Sequence, residues 1–372
     1  MAAVSEQAVI EALRTVQEPE LHKDLITLNM VKDIRIDDGA VTFTVVLTTP
    51  ACPLKTVIKE SCDKAVGAIP GVKAVGVEFT ANVTQGRTQV KENLIPSVKN
   101  AIAVSSGKGG VGKTTVAVNL AVSLTLQGAK VGLMDADVYG PNVPMMMGLE
   151  RPPQQQDGKL VPAESHGVKL ISMGFFVPED QPLTWRGPMI HTAIQQFLRD
   201  VIWGELDYLV VDLPPGTGDA QLSISQLVPL TGAVIVTTPQ AVALHDSRKG
   251  LAMFQNVNVP VLGIVENMSY YICGKCGERT EIFSHGGGER AAEKLGVPFL
   301  GRIPIDPAIR AGGDTGMPIV VSDPASPQAK AFMEIASRIA ARISVLTLGG
   351  SEKPIQIESL LNKIKRPLTS GS

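Results

Sequence analysis

The sequence predicts an α/β protein: a doubly wound, mostly parallel sheet carrying a phosphate-binding loop, preceded by a small α/β domain. Three observations carry that expectation. From about residue 99 onward, buried-strand patterns alternate with helical ones, the signature of a parallel sheet covered on both faces. Gly107-Lys108-Gly109-Gly110-Val111-Gly112-Lys113-Thr114 follows the apolar run Ala101-Ile102-Ala103-Val104 and precedes a helical stretch from Thr115 to Leu126. That is the strand–loop–helix setting of the G-x-x-x-x-G-K-[ST] pattern. Upstream, a separate helix and strand set is joined to this region by a polar run containing Pro96.

Taken in order, residues 4–17 read as an amphipathic helix with Val9, Ile10, Leu13 and Val16 on one side and Pro19 ending it. Strands at 28–36 and 41–48 flank Asp37-Asp38-Gly39, a hairpin signal. A helix reaching Gly67 and a strand at 72–80 complete a domain over 1–85, and 86–98 form a linker. The larger domain spans 99–345, with strands at 100–105, 130–135, 168–172, 207–212, 231–237, 260–266 and 298–302. The Pro/Gln-rich stretch 151–167 reads as a surface insertion, and 324–344 as the last long helix. In the tail, 346–372, Ile357, Leu360, Leu361 and Ile364 fall at helical spacing beside Lys363, Lys365 and Arg366. Docking on the protein's own surface or on a partner suits this small face better than a membrane does.

At 372 residues the chain exceeds the size at which one core keeps growing, so two domains are expected. A net charge of −2 and only 4% aromatic residues remove the usual footprint of a nucleic-acid binder. The N-terminus carries Glu6 and Glu11 in place of a basic leader, and no apolar run is long enough to span a bilayer; the chain reads as soluble and cytoplasmic. Four cysteines in so long a chain do not make a disulfide framework.

The chemistry centres on the glycine loop. Gly107, Gly109, Gly110 and Gly112 let backbone N–H groups turn inward, so that with Val111, Lys113, Thr114 and Thr115 they cradle phosphate oxygens at a helix N-terminus. Lys113 reaches the β- and γ-phosphates, and the Thr114 hydroxyl ligates Mg²⁺. Asp212 closes the apolar run Leu209-Val210-Val211 where a second Mg²⁺-ordering group is needed, and the loop through Pro215, Gly216, Gly218 and Asp219 is shaped to respond to a γ-phosphate. Asp135 and Asp137 end another strand. Asp137 is the candidate for orienting or deprotonating the attacking water, while Asp135 supports metal waters or the lysine, or is purely structural. Lys108 puts a second cation inside the loop.

Cys273 and Cys276, at C-x-x-C spacing, supply half of a tetrahedral four-sulfur set that a symmetric dimer completes. A shared zinc, a redox pair and inert cysteines fit the spacing as well. His285 could add a ligand, although a loop hydrogen-bonder is the ordinary reading. Cys52 precedes a helix whose N-terminal dipole favours a thiolate, whereas Cys62, in mid-helix, reads as a buried small side chain.

Lys108 within its loop resembles the deviant phosphate-loop ATPases, in which the equivalent lysine reaches across a nucleotide-sandwich dimer to the partner's phosphates. Together, Gly107 to Thr115, Asp135 to Asn142, Asp212 to Asp219, Val265 to Ser269 and the C-x-x-C look like the Mrp/ApbC family of iron–sulfur cluster carrier ATPases, over about 99–345. Residues 1–85 resemble the metal–sulfur cluster assembly domain fused to bacterial members, with Cys52 matching its cysteine. The resemblance implies a homodimer that binds ATP with Mg²⁺ and holds a labile 4Fe–4S cluster between subunits. It implies delivery of that cluster to apo iron–sulfur proteins, exchange with a cluster assembly scaffold, and a hydrogen bond from Asn267 to adenine. The competing expectation is an ATP-driven dimerising switch that positions a membrane or protein partner; a tightly held cluster acting as electron donor is the weaker third.

Overall fold

The computed structural model describes residues 4–86, 93–138, 140–176 and 187–348. The tail helix expected around 357–364, and with it the membrane-positioning idea, lies outside these residues. Among the described residues, backbone contacts divide the chain into two units, 4–85 with 340–348, and the described residues of 86–339.

The first unit is a three-stranded sheet covered by helices. Helix α1 (Glu6–Leu13) starts where the Ser5 hydroxyl accepts the Ala8 N–H, and it buries Val9 and Leu13. It stops well short of Pro19. Past Leu13 the backbone tightens to bonds three residues apart, Thr15 N–H to the Ala12 carbonyl and Val16 N–H to the Leu13 carbonyl, both at 3.1 Å, and the Thr15 hydroxyl also donates to the Ala12 carbonyl. Strands β1 (Val31–Asp37) and β2 (Ala40–Leu47) pair antiparallel around Asp38 and Gly39, at φ 41° and 83°, so the Asp-Gly pair makes the tight left-handed turn that its sequence announced. Helix α2 (Lys55–Gly67) crosses to β3 (Ala74–Ala81), which lies parallel to β2. The core gathers Val9, Leu13, Phe43, Val45, Ile58 and Cys62.

The second unit is built on an eight-stranded sheet. Its strands are β4 (Val98–Ser106), β5 (Val131–Asp135), β6 (Ala163–Ser165), β7 (Val168–Ser172), β8 (Leu206–Asp212), β9 (Leu230–Thr237), β10 (Val261–Glu266) and β11 (Phe299–Arg302). Across the sheet they run β6-β7-β5-β8-β4-β9-β10-β11, all parallel except the edge strand β6. The chain leaves the central strand β4 toward one edge, returns through β8, and then builds the other half. The carboxyl end of β4 is thus the switch point where open α/β sheets bind ligands. Helix α3 (Lys113–Leu126) follows β4 and is buried without a break from Val116 to Leu124, which is why it lacks a polar stripe.

The seven strand patterns of the larger domain are all present. The stretch 151–167 is more ordered than a surface insertion: Gln154–Gln156 pairs with Lys159–Val161 around Asp157-Gly158, and β6 joins the main sheet through His166-Gly167. All four turn residues have left-handed φ, between 50° and 76°. The polar composition hid these strands, although the Asp-Gly signal was in view. The last helix runs Pro327–Leu348, past the expected end.

Gly39 and Gly67 test this account from opposite sides. A Cβ at Gly39, already at φ 83°, would meet the Gly71 carbonyl at 2.6 Å, whereas nothing lies within 4 Å of one at Gly67. Gly39→Ala is expected to destabilise the first unit by about 2 kcal/mol and Gly67→Ala to stabilise it by up to about 1 kcal/mol. Hydrogen exchange at the amides of residues 31–47 reads this unit selectively.

Candidate functional site

At the carboxyl end of β4 the chain turns through Gly110 and Gly112, at φ 76° and 77°, into the N-terminus of α3. A Cβ at Gly112 would stand 2.3 Å from Asn267 Nδ2, so glycine is required there both for its backbone angle and for space. Lys113 enters the site only 6% exposed. Its Nζ donates to Asp212 Oδ1 at 2.7 Å and stands 3.5 Å from Asp137 Oδ2. The Thr114 hydroxyl donates to the other Asp212 oxygen at 2.8 Å.

The sheet register brings these carboxylates together, because Asp212 on β8 lies directly opposite Asp135 on β5. Asp135, fully buried, accepts the Ser172 hydroxyl at 2.8 Å and the backbone N–H groups of Asp137 and Val143 at 3.1 and 3.4 Å. These bonds make Asp135 the support of the loop that carries Asp137. Burial raises the Asp135 carboxyl to about 7, helped by the Asp212 charge and opposed by Ser172 and Lys113. Burial also raises Asp212, against the pull of Lys113 and Thr114. The loop after β8 is tied back by the Gly216 N–H on the Ser106 carbonyl at 3.0 Å.

A cavity of about 770 Å³ opens over this end of the sheet. Lys108, Gly109, Gly110, Gly112, Lys113, Thr114, Thr115 and Asp137 line it on the loop side, and Met146, Pro304, Ile305 and Ile309 add apolar surface among Asp306, Arg310 and Asp314, a mixture that suits a phosphorylated nucleoside. Gly107 and Val111 fall outside this lining, and Asp212 lies beneath Lys113. Lys108 Nζ donates to Gln240 Oε1 at 3.3 Å within the same chain. Asn267, which also lines the cavity, donates from Nδ2 to the Val111 carbonyl at 2.8 Å, so it ties the glycine loop to β10. Gln240 and the wall from Pro304 to Ile309 had no sequence signal, because only the fold sets them against the loop.

Cys273 and Cys276 sit at the tip of a small hairpin, in which Tyr271–Ile272 pairs antiparallel with Arg279–Thr280. The Gly277 N–H closes the turn on the Cys273 carbonyl at 2.8 Å, with Gly277 at φ 73°. Backbone N–H groups of Cys276 and Lys275 bond to the Cys273 sulfur and hold its pKa below the ordinary thiol value, a turn prepared for a thiolate ligand. Cys273 is half-buried and Cys276 exposed. Among the described residues no third His, Cys, Asp or Glu joins them in a metal-holding group. His285 faces the Glu281 carboxylate at 3.2 Å. The expectation for Cys52 is reversed, because burial pushes that thiol up to about 11, outweighing the Leu54 N–H at the start of α2. Cys62 is buried as expected, its thiol raised to about 12.

This combination of sheet, loop and paired acids defines a phosphate-loop nucleotide-binding protein of the doubly wound class. Residues 97–340 match the family model of the NUBPL iron-transfer P-loop NTPases, and residues 6–79 match that of an iron–sulfur cluster assembly protein. The chain is 54% identical over 347 residues to an iron–sulfur cluster carrier protein of Synechocystis, covering 92% of this chain and 98% of the relative. It is 50% identical over 355 residues to the carrier protein of Deinococcus radiodurans, covering 95% and 99% respectively. A solved nucleotide-binding protein from Archaeoglobus fulgidus, in complex with ADP, aligns with TM-score 0.57 at 40% identity, over 66% of this chain and 98% of that one. The chain belongs to the Mrp/ApbC family of iron–sulfur cluster carrier P-loop NTPases.

Asp135 gives the site a pH signature. Its folded carboxyl keeps a proton up to about pH 7, whereas an unfolded one releases it near 4, so the folded state binds the extra proton between those values. Stability contributed by that proton is present at the acidic end and is lost as pH rises toward 7. Asp135→Asn is expected to flatten the fall in unfolding free energy between about pH 5 and 7, read by urea denaturation of nucleotide-free protein.

Proposed function

We propose that the protein binds and hydrolyses ATP with Mg²⁺ and carries a 4Fe–4S cluster to apo iron–sulfur proteins, the cluster held between two copies of the chain. The observation that carries this reading is a C-x-x-C turn prepared for thiolate, placed in the same unit as a complete phosphate-loop site. Family membership supports it independently.

The residues fit Mg²⁺, because the Thr114 hydroxyl and the Asp212 carboxylate are hard oxygen donors already brought together beside the loop. They would hold the ion, and its chemistry there is charge neutralisation on the β- and γ-phosphates. Lys113 passes from its carboxylate partners to phosphate oxygens. Asp137, close to Lys113 and at the cavity wall, orients the attacking water. Lys108 is the cation that acts on the second copy's nucleotide, and Asn267 reads the base. Cys273 and Cys276 provide two of the four thiolates a cubane cluster takes, and a twofold-related copy provides the others. A cluster bound at such a shared, exposed turn is released when the two copies part, as delivery to an apoprotein requires.

Anaerobic reconstitution with iron and sulfide tests the reading. Wild type is expected to develop the broad visible absorption of thiolate-bound iron–sulfur and to activate an apo iron–sulfur enzyme. Cys273→Ser/Cys276→Ser should show neither while retaining ATP hydrolysis. Equal absorption in the two proteins would sink the proposal.

A further inference from the structure

Four residues, 269–272, separate the nucleotide cavity from the first thiol, and the chain at their start is held by a buried carboxyl. Glu266, the last residue of β10, is fully buried. Its Oε1 accepts the Ser269 hydroxyl at 2.5 Å, and its Oε2 accepts the Gly288 N–H at the start of helix Gly287–Leu295. Arg302 Nε stands 3.6 Å from Oε1, and the same guanidinium pairs with Glu289 and lies 5.2 Å from the Phe299 ring centre. A Cβ at position 288 would come within 3.0 Å of the carboxyl, so glycine allows the N–H to approach.

Closed by the Glu266–Ser269 bond, Asn267 and Met268 form a tight turn with Met268 at φ 53°, a left-handed backbone that side-chain-bearing residues rarely adopt. Both turn residues line the cavity, and Asn267 grips the glycine loop at Val111. Beyond the turn, the Ser269 N–H donates to the Ile303 carbonyl at 2.9 Å and the Ile305 N–H to the Tyr270 carbonyl at 2.7 Å. Pro304 and Ile305 belong to the same cavity wall. Arg279 then covers the Tyr270 ring at 3.9 Å, at the base of the cysteine hairpin. Glu266 and Ser269 lie outside the cavity lining, and the buried carboxyl joins the turn at Ser269 to the helix start at Gly288 and to Arg302 at the end of β11.

We propose that Ser269, clamped by Glu266, is the positioning residue through which the nucleotide cavity sets the geometry of the Cys273/Cys276 pair. Because the turn is closed and strained, a displacement of Asn267 or of the Pro304–Ile305 wall is not absorbed at residues 268–269. It passes through Tyr270 to the hairpin. The inference rests on the reading of Cys273 and Cys276 as cluster ligands and names how nucleotide reaches them.

The test is peptide-resolved alkylation of the full-length, cluster-free chain by iodoacetamide under anaerobic conditions, with and without a non-hydrolysable ATP analogue and Mg²⁺. In wild type the analogue is expected to change the Cys273/Cys276 alkylation rate at least threefold while leaving Cys52 unchanged. Ser269→Ala should bring that ratio near one while keeping analogue affinity within twofold and the melting temperature close to wild type. Glu266→Gln should retain the ratio, since an amide accepts the Gly288 N–H and donates to Ser269 Oγ. A wild-type-like ratio in Ser269→Ala overturns the clamp, and so does lost analogue affinity, which would make Ser269 a cavity support only. A wild type that binds the analogue and loads a cluster, yet shows no change in alkylation, overturns the clamp alone. Failure of both binding and loading overturns the functional reading with it.

Discussion

The contact between Lys113 and Asp212 is the constraint around which the nucleotide site is arranged. An ammonium and a carboxylate taken out of water together are costly unless geometry and further hydrogen bonds compensate. Here the fully buried Asp212 takes Lys113 on one oxygen at 2.7 Å and Thr114 on the other at 2.8 Å. Breaking such a pair from one side typically costs about 3–5 kcal/mol, because the remaining charge is stranded. The sheet fixes where this happens. Parallel strands present all their carboxyl ends at one edge, and the order of β5, β8 and β4 places the acids of two strands beside the glycine loop of the third. The lysine is therefore held in reserve by carboxylates in a low-dielectric site, where a triphosphate is a stronger partner for it than in water.

The same edge connects the nucleotide to the thiols. Asn267 bonds to the glycine loop, and the chain that follows leads directly to the cysteine hairpin. A cluster carrier has to bind its cargo and also let it go. Two thiols per chain, on an exposed turn, suit a ligand set that exists only while two copies are together. Asn267 and the cysteine hairpin both follow the carboxyl end of β10, so under the proposed function nucleotide contact and thiol geometry share one short stretch of chain.

Much of this was legible from sequence, for identifiable reasons. Strands buried on both faces, such as Leu209 to Asp212, read as apolar runs whose final residue is the functional one, so strand and acid were found together. The glycine loop was legible because its backbone angles exclude most residues. What was missed depends on long-range contacts or polar composition. The hairpin of Gln154–Gln156 and Lys159–Val161 has only Leu160 and Val161 as apolar residues and no alternation to mark a strand, so its Asp157-Gly158 turn was the clearest sign of it. Gln240, Ile305 and Glu266 acquire their roles from elements far apart in sequence. Cys52 shows the limit of a local rule: a helix start favours thiolate, but the burial around it does not.

The central claim is that this chain is half of a cluster site. Native mass spectrometry of the anaerobically loaded protein, combined with iron and acid-labile sulfide analysis, tests it most directly. The account predicts that cluster is found only on a dimer, at four iron and four sulfide per two chains, and that the loss of the cluster returns monomer. A monomer carrying a complete cluster, or a dimer carrying one on each chain, would contradict it.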